Sequence, residues 1–172
     1  EFGADAARYL MLSQLPFATD GDVSLVRFRE RYESDLANGL GNTLSRVTNM
    51  IEKFGAGKFT QHQGAVTFSE TVYAAVEGAL GRFEFDVALF AIMDIVRKID
   101  GEIEQAKPWH MEKEGKGTEI QPLLDRWGTL LLDVSLYLRP FMPSTAAVIE
   151  RVLRQSLVAK AEPLFPRLVV PS

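Results

Sequence analysis

An all-α helical bundle is the fold class that this 172-residue sequence predicts, and three observations carry the prediction. Apolar residues recur at steps of three and four through several long segments, the period of a helix with one buried face. Prolines at 16, 108, 140 and 143 punctuate those segments. The strand signal is confined to two short pieces, Val66-Thr67-Phe68 and Leu168-Val169-Val170. The length suits one well-buried domain, with or without a small appendage. A hydrophobic fraction of 47% and a charged fraction of 24% are ordinary for a globular protein.

The elements follow in order. Residues 3–15 read as a short apolar helix with Asp5 near its positive end, where a carboxylate is favoured, and Pro16 stops it. A turn-rich connector follows, tightest at Asp20-Gly21. Ser24 is placed to cap a long helix over about residues 25–54, with a bend expected near Gly39 and Gly41. Gly55-Ala56-Gly57 closes it, and residues 59–68 read as an irregular loop. A helix over about residues 69–83 turns Val72, Ala75, Val76, Ala79 and Leu80 inward. The next, over about residues 86–106, carries the stripe Leu89, Ile92, Val96, Ile99 and Ile103. Pro108 ends it, and the run HMEKEGKG reads as a polar loop. Thr118 and Gln121 have the spacing of a capping box for a helix that buries Leu123, Trp127, Leu130, Leu131, Val134 and Leu138. A last helix covers about residues 144–155, and the proline-rich tail is extended.

One stretch, Asp35 to Met50, has an unusual composition. On a helix of about 100° per residue, Leu36, Leu40, Leu44, Val47 and Ile51 share one face. Asn38, Asn42, Ser45, Arg46 and Asn49 lie opposite. A solvated face normally carries Glu and Lys, which form helices better than Asn does. Two readings stand at this point: amides and a guanidinium gathered for a flat polar ligand, or asparagine merely tolerated.

Several function classes lack their parts. Zero cysteines exclude disulfides, thiolate metal sites and cysteine catalysis. No apolar run is long enough to span a bilayer, and no signal peptide is visible. The net charge of −4 speaks against a non-specific nucleic-acid binder, though not against reading a few exposed bases. Neither His62 nor His110 stands in a Glu-x-x-His pair, and GLGNTLS lacks the lysine of a phosphate loop. Asp100, Glu102 and Glu104 read as a solvated face. Trp127 lies in an apolar stripe and reads as core, whereas Trp109 either anchors the chain to the bundle or offers a stacking platform for a base.

The runs GADAARYLMLSQLPFATDGDVS, RYESDLANGLGNTLSRVTNMI, AKPW, LRPFMPSTAAVI and EPLFPRL, in this order and spacing, resemble the C-terminal part of methionyl-tRNA synthetase. The helix motif also occurs in the leucyl, isoleucyl, valyl and cysteinyl relatives; AKPW together with PLFPRL points to the methionine branch. The resemblance implies an all-α anticodon-binding bundle of class I synthetases. Its parts would be residues 1–23 as a remnant of the segment linking catalytic and anticodon domains, 24–158 as the bundle and 159–172 as an extended tail. It implies that Asn42 and Arg46 contact the anticodon, chiefly its first base, a cytosine, and that bases stack on Trp109 beside Pro108. His110 is less usual for the family at its position.

The same resemblance places the ATP-binding motifs and the zinc-binding insert upstream of Glu1. It therefore implies no cofactor within this chain, and ATP, Mg and Zn in the parent enzyme. The implied partners are methionine tRNA, through its anticodon loop, and the missing catalytic domain, with no membrane. The implied setting is the cytoplasm, and the implied activity of this part alone is none. The alternatives are the bundle of another class I synthetase and a helical protein-interaction module.

Overall fold

The computed structural model describes residues 2–14, 24–61 and 67–168, with side chains of the last stretch described from residue 71. The turn at Asp20-Gly21, His62, and the strand candidates at Val66 and Val169-Val170 lie outside the described residues. Every regular element among the described residues is helical. They are α1 (Ala4–Gln14), α2 (Leu25–Arg31), a π-helical stretch (Tyr32–Gly41), α3 (Asn42–Phe54), α4 (Thr67–Gly81), α5 (Phe85–Ala106), α6 (Pro108–Lys113), α7 (Gly117–Leu138) and α8 (Pro143–Leu153).

The helices share one core, in which α5 and α7 are central. The α5 stripe Leu89, Ile92, Val96, Ile99 and Ile103 is fully buried, as its period predicts. The helix α1 joins this core through Ala6, Tyr9 and Leu10 and packs on α5. Its Asp5 accepts from the Thr145 backbone N–H at the start of α8 (2.7 Å), and its Tyr9 hydroxyl donates to Asp35 (2.7 Å). Between α3 and α4, Phe59 lies directly on Gly128 of α7. A Cβ at that position would stand 2.5 Å from the ring, so the approach needs glycine.

Four local expectations are corrected, and the long helix has a feature that its sequence did not announce. Around Gly39 and Gly41 it is widened: the Asn42 N–H donates to the Ala37 carbonyl, five residues back. Buried Tyr32, Leu36, Leu40 and Leu44 recur every four residues, which drifts about 40° per step on an α-helix and suits a wider turn. Thr67 and Phe68 begin a helix instead of a strand, and Ala75 on that helix is exposed. Pro108 opens α6, because Lys107 takes a left-handed conformation (φ 48°) that ends α5 and leaves proline at a first helical position. No capping box forms at Thr118; Gln121 instead donates to the Lys58 carbonyl and to Asp125.

The tail runs back along α3 and the π-helical stretch. Val158 N–H donates to the Gly57 carbonyl (2.7 Å) and Ala161 N–H to the Thr48 hydroxyl (2.9 Å). Further along, Phe165 packs edge-on to Tyr32, whose hydroxyl donates to the Pro166 carbonyl (2.9 Å). This strap leaves the amide-bearing side of the helix open beside it.

Candidate functional site

The face predicted from the sequence is formed. Leu36, Leu40, Leu44, Val47 and Ile51 are at 0% exposure, while Asn38 and Asn42 are exposed and Ser45, Arg46 and Asn49 are half-exposed. Asn42 and Arg46 sit one turn apart at the start of α3. Among the described residues no hydrogen bond engages the Asn42 side chain, so both its donor and its acceptor remain available.

Arg46 is anchored from the neighbouring helix. Its Nη1 donates to Asp100 Oδ1 (3.1 Å) and its Nη2 to Glu104 Oε1 (2.5 Å), both on α5. Thr43, fully buried one turn earlier on α3, donates its hydroxyl to Asp100 Oδ2 (2.6 Å). Burial pushes the Asp100 carboxyl above its ordinary value; the Thr43 hydrogen bond and the Arg46 charge oppose that rise without cancelling it, and Glu104 adds to it. A guanidinium carries five N–H donors, and two are taken here. The remainder, on a side chain 28% exposed, can meet a ligand.

These acidic residues are therefore more than a solvated face. Asp100 and Glu104, four residues apart, reach one arginine on α3. Glu102, between them, turns toward α7 and accepts from Arg126 and from the Trp127 indole N–H (3.0 Å). The spacing of 100 and 104 was the available signal for the first pair; nothing in the sequence named Thr43 as their partner.

Pro108 and Trp109 stand just past the end of α5, beyond Glu104. Pro108 is buried, and Trp109 is half-buried against the core next to exposed His110 (6.3 Å between ring centroids). Among the described residues nothing accepts from the Trp109 indole N–H. Trp127 is at 0% exposure, as expected of core. Arg46 and Trp109 are thus brought to the C-terminal end of α5, one through ion pairs to its last turns and one through the chain that follows. A cleft of about 490 Å³ opens beside Asn38, Asn42 and Ser45, closed on its far side by residues 163–167 of the tail.

No cluster of three His, Cys, Asp or Glu side chains suited to a metal ion occurs among the described residues. No helix there is long and apolar enough to cross a membrane. The region thus presents unpaired amides, a held guanidinium and a half-exposed indole, groups of the kinds that make edge contacts and stacking contacts with flat polar ligands.

Comparison with known proteins agrees on one family. A family model described as tRNA synthetases class I (M) matches residues 1–48. The methionine–tRNA ligase of Listeria monocytogenes is 30% identical over 97% of this chain, and that of Halalkalibacterium halodurans is 34% identical over 98%. In both cases the chain spans 30% of the relative's length. Among solved structures, apo methionyl-tRNA synthetase of Mycobacterium tuberculosis matches with a TM-score of 0.79 at 24% identity, over 99% of this chain and 40% of that one. The same enzyme bound by methionyl-adenylate gives 0.82 at 23%, over 96% and 38%. At that identity the structures attest the fold, and they are helical where this chain is helical.

Proposed function

The chain belongs to the methionyl-tRNA synthetase family, and from that premise we propose that it is the anticodon-binding part of a methionine–tRNA ligase, reading the CAU anticodon of methionine tRNA. The observation that carries the reading is the Asn42/Arg46 face, one side chain unengaged and the other held in place by Asp100 and Glu104. Cytosine presents a carbonyl and a ring-nitrogen acceptor beside an amino donor. The free N–H groups of Arg46 suit the acceptors, and the Asn42 carbonyl suits the amino group. Trp109 supplies an apolar face on which a splayed base can stack. In this reading buried Pro108 fixes the start of α6 and so the position of the indole.

On the same reading, activation of methionine with ATP and magnesium, and any bound zinc, fall to residues outside this chain, in the cytoplasm where tRNA is charged. Residues 1–23 then lead in from the catalytic part, residues 24–158 form the reading bundle and residues 159–172 strap it. The two relatives compared above are methionine ligases, which disfavours the bundle of another class I synthetase.

The test is fluorescence anisotropy with two RNA hairpins, one with a CAU loop and one with its first base changed. Tighter binding of the CAU hairpin is expected. Trp109→Ala should weaken it by about 1–3 kcal/mol and remove the preference, with the helical circular dichroism intact. Equal affinity of the wild-type chain for both hairpins would sink the reading.

A further inference from the structure

We propose that Arg167, on the C-terminal strap, is a phosphate-binding residue of the same interface. The inference rests on the RNA-loop reading and extends it to an element of the chain that carries none of the amides or rings assigned to the bases. The charges around Arg46 require such a group. One guanidinium faces two carboxylates, Asp100 and Glu104, so this part of the face carries a net negative charge. The chain as a whole carries −4. A loop whose bases meet Asn42 and Arg46 brings its phosphates toward that surface, and like charge repels them unless a cation stands nearby.

Arg167 lines the cleft opposite Asn38, Asn42 and Ser45. It is exposed, and no carboxylate among the described residues pairs with it. Its backbone is held in register, since the preceding residue, Pro166, accepts from the Tyr32 hydroxyl and Phe165 is buried against Tyr32. A charged side chain on a fixed backbone, with no partner to give up, loses little on meeting a phosphate oxygen. The cleft is wide enough, at about 490 Å³, for a sugar-phosphate unit to lie between helix and strap.

The experiment measures binding of the chain to the CAU hairpin and to its first-base variant over a range of salt concentrations, for the wild type, Arg167→Gln and Arg167→Lys. Arg167→Gln should weaken both hairpins several-fold and equally, and lower the slope of log affinity against log salt by roughly 0.7, the value for one phosphate of a single strand. Arg167→Lys should restore most of the affinity and the slope. An unchanged slope in Arg167→Gln, with wild-type preference intact, overturns the assignment alone. Loss of preference without change of slope overturns it too, by making Arg167 a base reader. A wild-type chain that binds both hairpins equally or neither fails the functional reading itself, and the Arg167 assignment falls with it.

Discussion

Asp100 and Glu102 stand two residues apart on α5, and each holds an arginine of a neighbouring helix. The two contacts differ in how fully they are satisfied. Glu102 takes both Nε and Nη2 of Arg126 and the Trp127 indole N–H as well. Asp100 accepts from Nη1 of Arg46, whose Nη2 goes to Glu104, and from the Thr43 hydroxyl. The titration behaviour differs accordingly. Burial would push Glu102 up, but the hydrogen bonds from Arg126 and Trp127, with the charges of Arg126 and Lys98, leave it below its ordinary value. At Asp100 burial prevails and the pKa is raised. The α5–α7 contact is a clamp closed on a core indole as well as an arginine, whereas the α5–α3 contact shares one arginine between two carboxylates.

The sharpest way to break that contrast is to remove the closed side. Trp127→Ala opens a cavity in the core and strips one donor from Glu102, and it should destabilise the chain by about 3–5 kcal/mol. Half-buried Trp109→Ala should cost clearly less stability while it weakens hairpin binding and removes the preference. Urea unfolding of both variants measures the difference; similar losses would mean that the two indoles are equally structural.

A milder pair of substitutions probes the carboxylates themselves. Glu102→Gln neutralises an acceptor of charged hydrogen bonds and should lower stability by about 1–2 kcal/mol with the hairpin preference unchanged. Asp100→Asn should cost less than about 1 kcal/mol of stability, because burial already disfavours its charge, and yet reduce the first-base preference, because Arg46 loses a restraint. If the two variants trade these effects, the structural and functional sides have been assigned the wrong way round.

The sequence foretold these regions unevenly, for physical reasons. Period alone located the stripes on α3 and α5, because burial selects apolar side chains and a helix repeats them. The π-helical widening before Asn42 was missed although Tyr32, Leu36, Leu40 and Leu44 already recur every four residues, a step that regular α-helix geometry does not keep on one line. Lys107 carries no sign of its left-handed turn, so proline read as an end where it was a beginning. Asn42, Arg46 and Trp109 are candidates named by composition and resemblance. Asp100 and Thr43 were not joined to them, since a hydrogen bond across 57 residues depends on the packing of two helices. Arg167 stood out only once the tail was seen strapped along the same helix.

The smallest expected effect is also the most direct measure of the contrast on α5. Glu102, with its pKa below the ordinary 4.5, contributes stability that is present above that value and is lost as pH falls through its folded pKa. Asp100, raised above 3.8, has the opposite sign: it ionises more readily in the unfolded chain, so its contribution declines as pH rises from that value through its folded pKa. In the wild type the two partly offset each other in mild acid. Glu102→Gln should therefore flatten the fall of stability on acidification, and Asp100→Asn should steepen it. The other shifted carboxylates, among them Glu150 and Asp133, are common to all three proteins and cancel in the comparison. Urea midpoints taken from about pH 3 to about pH 7 on the three chains measure both slopes, with differences below about 1 kcal/mol. Curves that stay parallel would mean that both carboxylates sit in equivalent contacts, and the distinction between clamp and open site would not hold.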